Sequence, residues 1–539
     1  MRTPNSPCSK CSRAEASTIG IAALPAPCVS PAPAGTRARC APALAAGFRT
    51  RSHEIARCRA PLALRLAALS LFPPAASAHS FGRIYNLPVP FWLYAYGAAA
   101  ALLLSFLIAA WFATAAPPAP SAAHGAPSLD GLRATLRRLR LPALLRGVSL
   151  LGLLLCIATG LFGVRDPYRN LDMTLFWVVF VLGFAYLSAL IGDLYALVNP
   201  WRVLADLLGR VWRGYTQGRL RYPRRLAYWP ALALYMLFIW AELFGNTRPF
   251  SLAVWLGAYT LLNLAAVGVF GAADWFRHGE FFAVFLRLIA RMAPLDYAPG
   301  RHLRLRRPFA GLSQERASSW SELVFVLFML SSTAFDGLRA TKVWYSLVWA
   351  DATGLLTPWL GQRPIYLYPR LRAWYLLYES VCMVLSPFVY LAVYLLFVGI
   401  ARRLGGRRHS LRELALSFTY SLLPIALVYH VTHYYTLLLT QGVKIVSLLS
   451  DPFGYGWNLF GTAGLLRAPF LPDLGTVWHT QVALILFGHI VSVWVAHAEA
   501  LRLFPSRGRA LLSQLPMLVL MVSFTTAGLW ILAQPIQGR

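Results

Sequence analysis

The chain of 539 residues carries 50 Lys and Arg against 20 Asp and Glu, a formal charge of +30. Yet only 13% of it is charged and 58% is hydrophobic, with a mean hydropathy of +0.55. A soluble protein of that length needs more polar surface to cover its core, so a soluble globular fold is excluded. The basic residues form neither one patch nor a stripe with interleaved aromatics, which excludes nucleic acid as a partner.

Residues 1–55 are rich in Ala, Pro, Ser and Arg without periodicity, and read as a disordered or over-extended N-terminal segment. Cys8 and Cys11 form a C-x-x-C, but no second pair accompanies it. Residues 56–78 have the make-up of a secretory signal peptide: Arg57 and Arg59, an apolar run from Leu62 to Phe72, then Ala76-Ser77-Ala78. Cleavage after Ala78 makes His79 the first mature residue, where a free amine beside an imidazole is a chelating pair. Five of the seven cysteines precede that point. Cys156 and Cys382 remain, and a disulfide framework is not expected.

Residues 79–539 read as one multi-span membrane domain. Phe91–Thr114 has no charge and is long enough, as a helix, to cross about 30 Å of hydrocarbon. Similar segments recur at Val148–Val164, Leu175–Gly192, Leu226–Phe244, Leu252–Ala272, Leu323–Phe335, Leu376–Ile400, Leu414–Thr440, Thr480–Leu503 and Leu515–Ala533. The expected fold is therefore all-α, a polytopic helical membrane protein of about ten transmembrane helices behind a signal peptide. Phe281–Met292, short and carrying Arg287 and Arg291, reads as an interfacial amphipathic helix. Arginines crowd alternate connections, among them Arg202 to Arg225 and Arg402 to Arg412. The positive-inside rule makes those connections cytoplasmic, in a bacterial inner membrane, with the mature N-terminus periplasmic.

Ionisable groups inside spans are costly unless paired or hydrated, so each is a functional candidate. His430 and His433, three apart in Tyr429-His430-Val431-Thr432-His433-Tyr434, share a helix face. That spacing suits two ligands of one metal ion, or a base with an orienting neighbour. Glu242, Asp336 and Glu379 fall near the same ends of their spans as the histidine pair, so five titratable groups are expected at one level, near the exterior face. His489 lies mid-span and His497 two turns further on. Asp451-Pro452-Phe453-Gly454-Tyr455-Gly456-Trp457-Asn458 is an external loop able to cover a site beside the histidine helix. Gly192 to Arg202 reads as a structural turn.

Taken together, several motifs resemble a family of bacterial membrane proteins labelled fenitrothion hydrolase. They include Leu87-Pro88-Val89-Pro90, Asn199-Pro200-Trp201-Arg202, Trp275-Phe276-Arg277-His278-Gly279-Glu280, Phe335-Asp336-Gly337, the Tyr429–Tyr434 run, Asp451-Pro452-Phe453-Gly454, Gly488-His489 and Gly528-Leu529-Trp530. The resemblance implies hydrolysis of the P–O–aryl bond of an organophosphorus ester, an apolar small molecule that partitions into lipid. In that reading a divalent metal ion is held by His430, His433 and His489, with Glu379 and Asp336 as catalytic carboxylates. Two other classes stay open: a redox protein with haem between His430 or His433 and His489, and a transporter or a support subunit for a second protein.

Overall fold

A computed structural model of the protein describes residues 89–113, 129–297, 303–466, 468, 470 and 472–534. The N-terminal segment with Cys8 and Cys11, the signal peptide 56–78 and His79 lie outside the described residues. The described chain is all-α apart from one two-residue antiparallel pairing, Leu295–Asp296 with Arg304–Leu305.

Nine helices among the described residues are long and apolar enough to cross a membrane, and two shorter apolar ones join them. We label the eleven in chain order: α1 Phe91–Phe112, α2 Leu141–Phe162, α3 Leu171–Leu190, α4 Trp229–Phe244, α5 Pro249–Phe270, α6 Phe281–Ala290, α7 Trp320–Arg339, α8 Tyr368–Leu404, α9 Leu423–Thr440, α10 Leu474–Leu503 and α11 Arg507–Ala533. Proline sits in the first turn of α4, α5, α8 and α9, where its missing N–H costs nothing. Ser319 caps α7 by accepting from the Glu322 amide at 3.3 Å.

Burial sorts these helices. Protein covers 83% of the apolar window of α7 and of the segment containing α9, against 11% for α2. Thus α7 and α9 form the centre, with α8, α10 and α11 packed on them and α2, α5 and α1 further out. At the α9–α11 crossing a Cβ placed on Gly528 overlaps the Tyr429 hydroxyl, so only glycine permits that approach.

The sixteen residues of α4 rise about 24 Å, short for a span. They nevertheless run alongside the twenty residues of α7 from end to end. The Tyr228 amide donates to Ser321 at one end (3.0 Å), and Arg339 donates to the Leu243 carbonyl at the other (3.2 Å). The fourth predicted span, shorter than the nine, therefore runs the length of α7 beside it.

Phe281–Met292 departs from expectation. Eight of the ten residues of α6 are buried, and the helix lies inside the bundle against α3, α4 and α9. Glu280 ties its N-terminus. Its carboxylate accepts from the amides of Phe282 (3.1 Å) and Ala283 (2.8 Å), from the Tyr259 hydroxyl (2.5 Å) and from Asn199 (3.2 Å). An aromatic run (Phe281, Phe282, Phe285) faces rings of α3, α4 and α9 instead of lipid, which draws the helix inward. The helix is enclosed by the protein and the cavities it lines rather than lying at the membrane surface.

Candidate functional site

The polar residues of α4, α7, α8 and α9 meet at the end of the bundle away from the arginine-rich connections. On α9, His433 Nε2 lies 2.8 Å from Asp336 Oδ2 of α7. The next residue, Tyr434, donates to the same oxygen at 3.3 Å and lines one cavity with Glu242 of α4. One turn along α7, Arg339 stands 3.8 Å from Asp336 and 3.6 Å from Glu379 of α8. Glu379 also accepts from the Trp344 indole at 3.2 Å. Both Arg339 and Glu379 are only 8% exposed, so the cation sits between two carboxylates with little water.

Glu242, Asp336, His430 and Tyr434 line a cavity of about 420 Å³. The remainder is largely aromatic and aliphatic, including Trp177, Tyr235, Phe238, Phe282 and Phe285. Its α3 wall is unusual. Thr174–Gly183 is wound as a π-helix for ten residues, between short α-helical ends. Such winding is rare and gathers at functional sites, because the wider turn redirects side chains. Here it supplies Thr174, Trp177, Val178, Phe180, Val181 and Leu182 to the wall.

Four of the five predicted site residues come together, and each has a distinct place. Asp336 and His433 form the closest pair. His430 lines the cavity, its ring against Tyr186, Phe285 and Tyr434, with Nδ1 buried and unpartnered among the described residues. Glu379 stands behind Asp336, reached through Arg339, and does not line the cavity. His489 is not brought to the group. It is fully buried on α10, with Nδ1 2.8 Å from the Ile485 carbonyl and its ring 6.0 Å from Tyr429. His497 bonds Gln514 and the Ala113 carbonyl.

Among the described residues no three His, Cys, Asp or Glu side chains gather in an arrangement able to hold a metal ion. His489 in particular does not join His430 and His433.

Sequence reasoning gave no role to Arg339 or Tyr434, and it placed α6 at the membrane surface. Arg339 stands three residues after Asp336, which puts both on one helix face, a signal the sequence carries. The Asp451–Asn458 loop does not line the cavity. It buttresses the 163–171 connection, accepting from Val164 at 2.9 Å and Leu171 at 3.1 Å. That connection in turn supplies Pro167 and Tyr168 to the cavity rim. Asn199, as expected of a structural turn, caps Pro200–Val211 by accepting from the Arg202 amide at 3.1 Å.

A second cavity, of about 660 Å³, opens at the arginine-rich end. Helix α6 contributes to both: Phe281, Phe282, Phe285 and Leu286 to the first, Ala283, Arg287 and Ala290 to the second. At about 100° per residue those sets lie on opposite faces. A septum one helix thick separates the two cavities.

These features define an all-α polytopic membrane protein with a carboxylate–imidazole–phenol cluster at the polar end of an apolar cavity. The chain matches no known protein family, no curated protein and no solved structure.

Proposed function

We propose that the chain is a membrane-embedded hydrolase of apolar aryl esters, organophosphorus triesters such as fenitrothion among them. It acts in a bacterial inner membrane from the periplasmic side, the side that the arginine asymmetry assigns to the Asp336 end. The observation that carries this reading is the pairing of His433 with Asp336 at 2.8 Å where an aromatic cavity meets Glu242 and Tyr434. Lipid-soluble aryl esters fit such a cavity, and the ionisable groups they meet there, Glu242, Asp336 and His430, are able to move a proton.

In the proposed step a water oxygen attacks phosphorus and the P–O(aryl) bond breaks. The bonding pair leaves on the aryl oxide, and the water proton passes to the Glu242–Asp336–His433 group. Asp336 faces the cavity, His433 behind it shares the proton, and Arg339, itself held by Glu379, positions the Asp336 carboxylate. A nitrophenolate leaves without protonation, so no separate acid is required.

The test is nitrophenol release by the full chain in lipid nanodiscs. Asp336→Asn and His433→Ala should each reduce turnover by two to four orders of magnitude, roughly the span of general-base catalysis. Glu379→Gln, one residue removed from the cavity, should cost less. Unchanged turnover in both of the first two variants would remove the cluster from the mechanism. A second reading, passage of a solute, is favoured by the septum α6 between two cavities. Flux across proteoliposomes without ester cleavage would select it.

A further inference from the structure

The second cavity is built differently from a membrane-facing belt of arginines. Arg202, Arg277, Arg287, Arg291, Arg306 and Arg316 line it, from separate segments of the chain. Four carboxylates line it too, and their partners are identifiable. Glu315 pairs with Arg291 at 2.8 Å and Asp296 with Arg306 at 3.6 Å. Glu322 accepts from Ser318 at 2.8 Å and from the Tyr420 hydroxyl at 2.6 Å. Asp193, near Arg287, accepts from the Ala196 amide at 3.0 Å. Arg316 turns to Glu499 at 3.3 Å and Glu413 at 3.7 Å.

That leaves Arg202, Arg277 and Arg287 with no carboxylate within ion-pair distance among the described residues. Arg202 and Arg287 are half-buried, and Arg291 keeps a buried, unpartnered Nε on the same wall. Topology alone does not require this. Arg219, Arg221, Arg224 and Arg225 satisfy the positive-inside rule from the surface, exposed and outside the cavity. Arg287 donates one N–H to the Arg277 carbonyl at 2.6 Å; its remaining donors and those of Arg202 and Arg277 line one recess, with Asn199 and Tyr228, and match the oxygens of a tetrahedral anion.

We propose that the cavity at the arginine-rich end binds a phosphate group, through Arg202, Arg277 and Arg287. The group comes either from a soluble phosphate compound or from the headgroup of an anionic phospholipid. This site stands independently of the hydrolase reading, since α6 separates it from the Asp336 cavity.

The full chain purified in neutral detergent is titrated with inorganic phosphate by calorimetry, and separately with phosphatidylglycerol in mixed micelles. Saturable binding of either probe is expected, weakened about tenfold or more by Arg202→Gln and by Arg287→Gln, and partly kept by Arg287→Lys. Arg224→Gln should leave it unchanged, and the unfolding temperature without phosphate reports that each variant is folded. Response to phosphate alone assigns a soluble ligand, and response to the phospholipid alone assigns a headgroup. No saturable binding of either probe overturns the proposal. So does an equal loss in Arg224→Gln, or wild-type affinity in folded Arg202→Gln and Arg287→Gln.

Discussion

Replacing Arg339 by methionine tests whether the buried cation holds the cluster together. Arg339 is 8% exposed, stands 3.6 Å from Glu379 and 3.8 Å from Asp336, and packs over the Phe244 ring at 4.7 Å. Methionine keeps most of the side-chain volume, so cavity formation contributes little. What remains is two carboxylates at one level of the bundle without their shared cation. Removing one member of a buried ion pair costs about 3–5 kcal/mol, because the other charge stays desolvated and uncompensated. Glu379→Gln alone should cost less, since Asp336 still faces Arg339. The double variant Arg339→Met/Glu379→Gln should be less destabilised than the two singles added, by a coupling of about 1–3 kcal/mol. Reversible unfolding in mixed micelles gives all three values. Additivity to within about 0.5 kcal/mol, or a cost under about 1 kcal/mol for Arg339→Met, would refute the bridging role.

Glu280→Ala removes the acceptor for two α6 amides, a tyrosine hydroxyl and Asn199, and should cost about 3 kcal/mol or more. Hydrogen exchange should show α6 losing protection before the rest of the bundle. Gly528→Ala should destabilise by about 3 kcal/mol through overlap with Tyr429, and Tyr429→Phe in the same chain should restore part of it in the same unfolding assay. Asp351 lies outside the spans, and hydrogen bonds from the Thr357 hydroxyl and amide and the Leu356 amide hold its carboxyl down to about 2. Its contribution to the 351–357 turn is therefore complete above an ordinary Asp value near 3.9 and lost as pH falls toward about 2. Asp351→Asn should remove that pH dependence, read by proteolysis of the turn.

The legible part of this protein was whatever the bilayer dictates. Long uncharged runs must be helices, because lipid offers backbone groups no partners. Asp336, Glu379, Glu242 and the His430/His433 helix could be set at one level because ionisable residues in spans need each other. Depth along a helix was thus recoverable, while direction around it was not. His489 shares the interior but sits against Tyr429 and the Ile485 carbonyl, an azimuth set by how α10 packs on α9. Helix α6 was obscured for a related reason. Ten residues carrying Arg287, with Arg291 just beyond, read equally well as lying on lipid or as dividing two internal spaces, since both present one apolar and one polar environment. What separates the cases is Glu280, Asn199 and Tyr259, from three distant segments, meeting at its N-terminus. A carboxylate with 0% exposure immediately before an apolar helix is costly at a lipid surface and inexpensive inside a bundle that supplies four donors. The same reasoning explains the aromatic wall. Phe281, Phe282 and Phe285 close the Asp336 cavity on one side of α6, and the arginine-lined cavity lies on another.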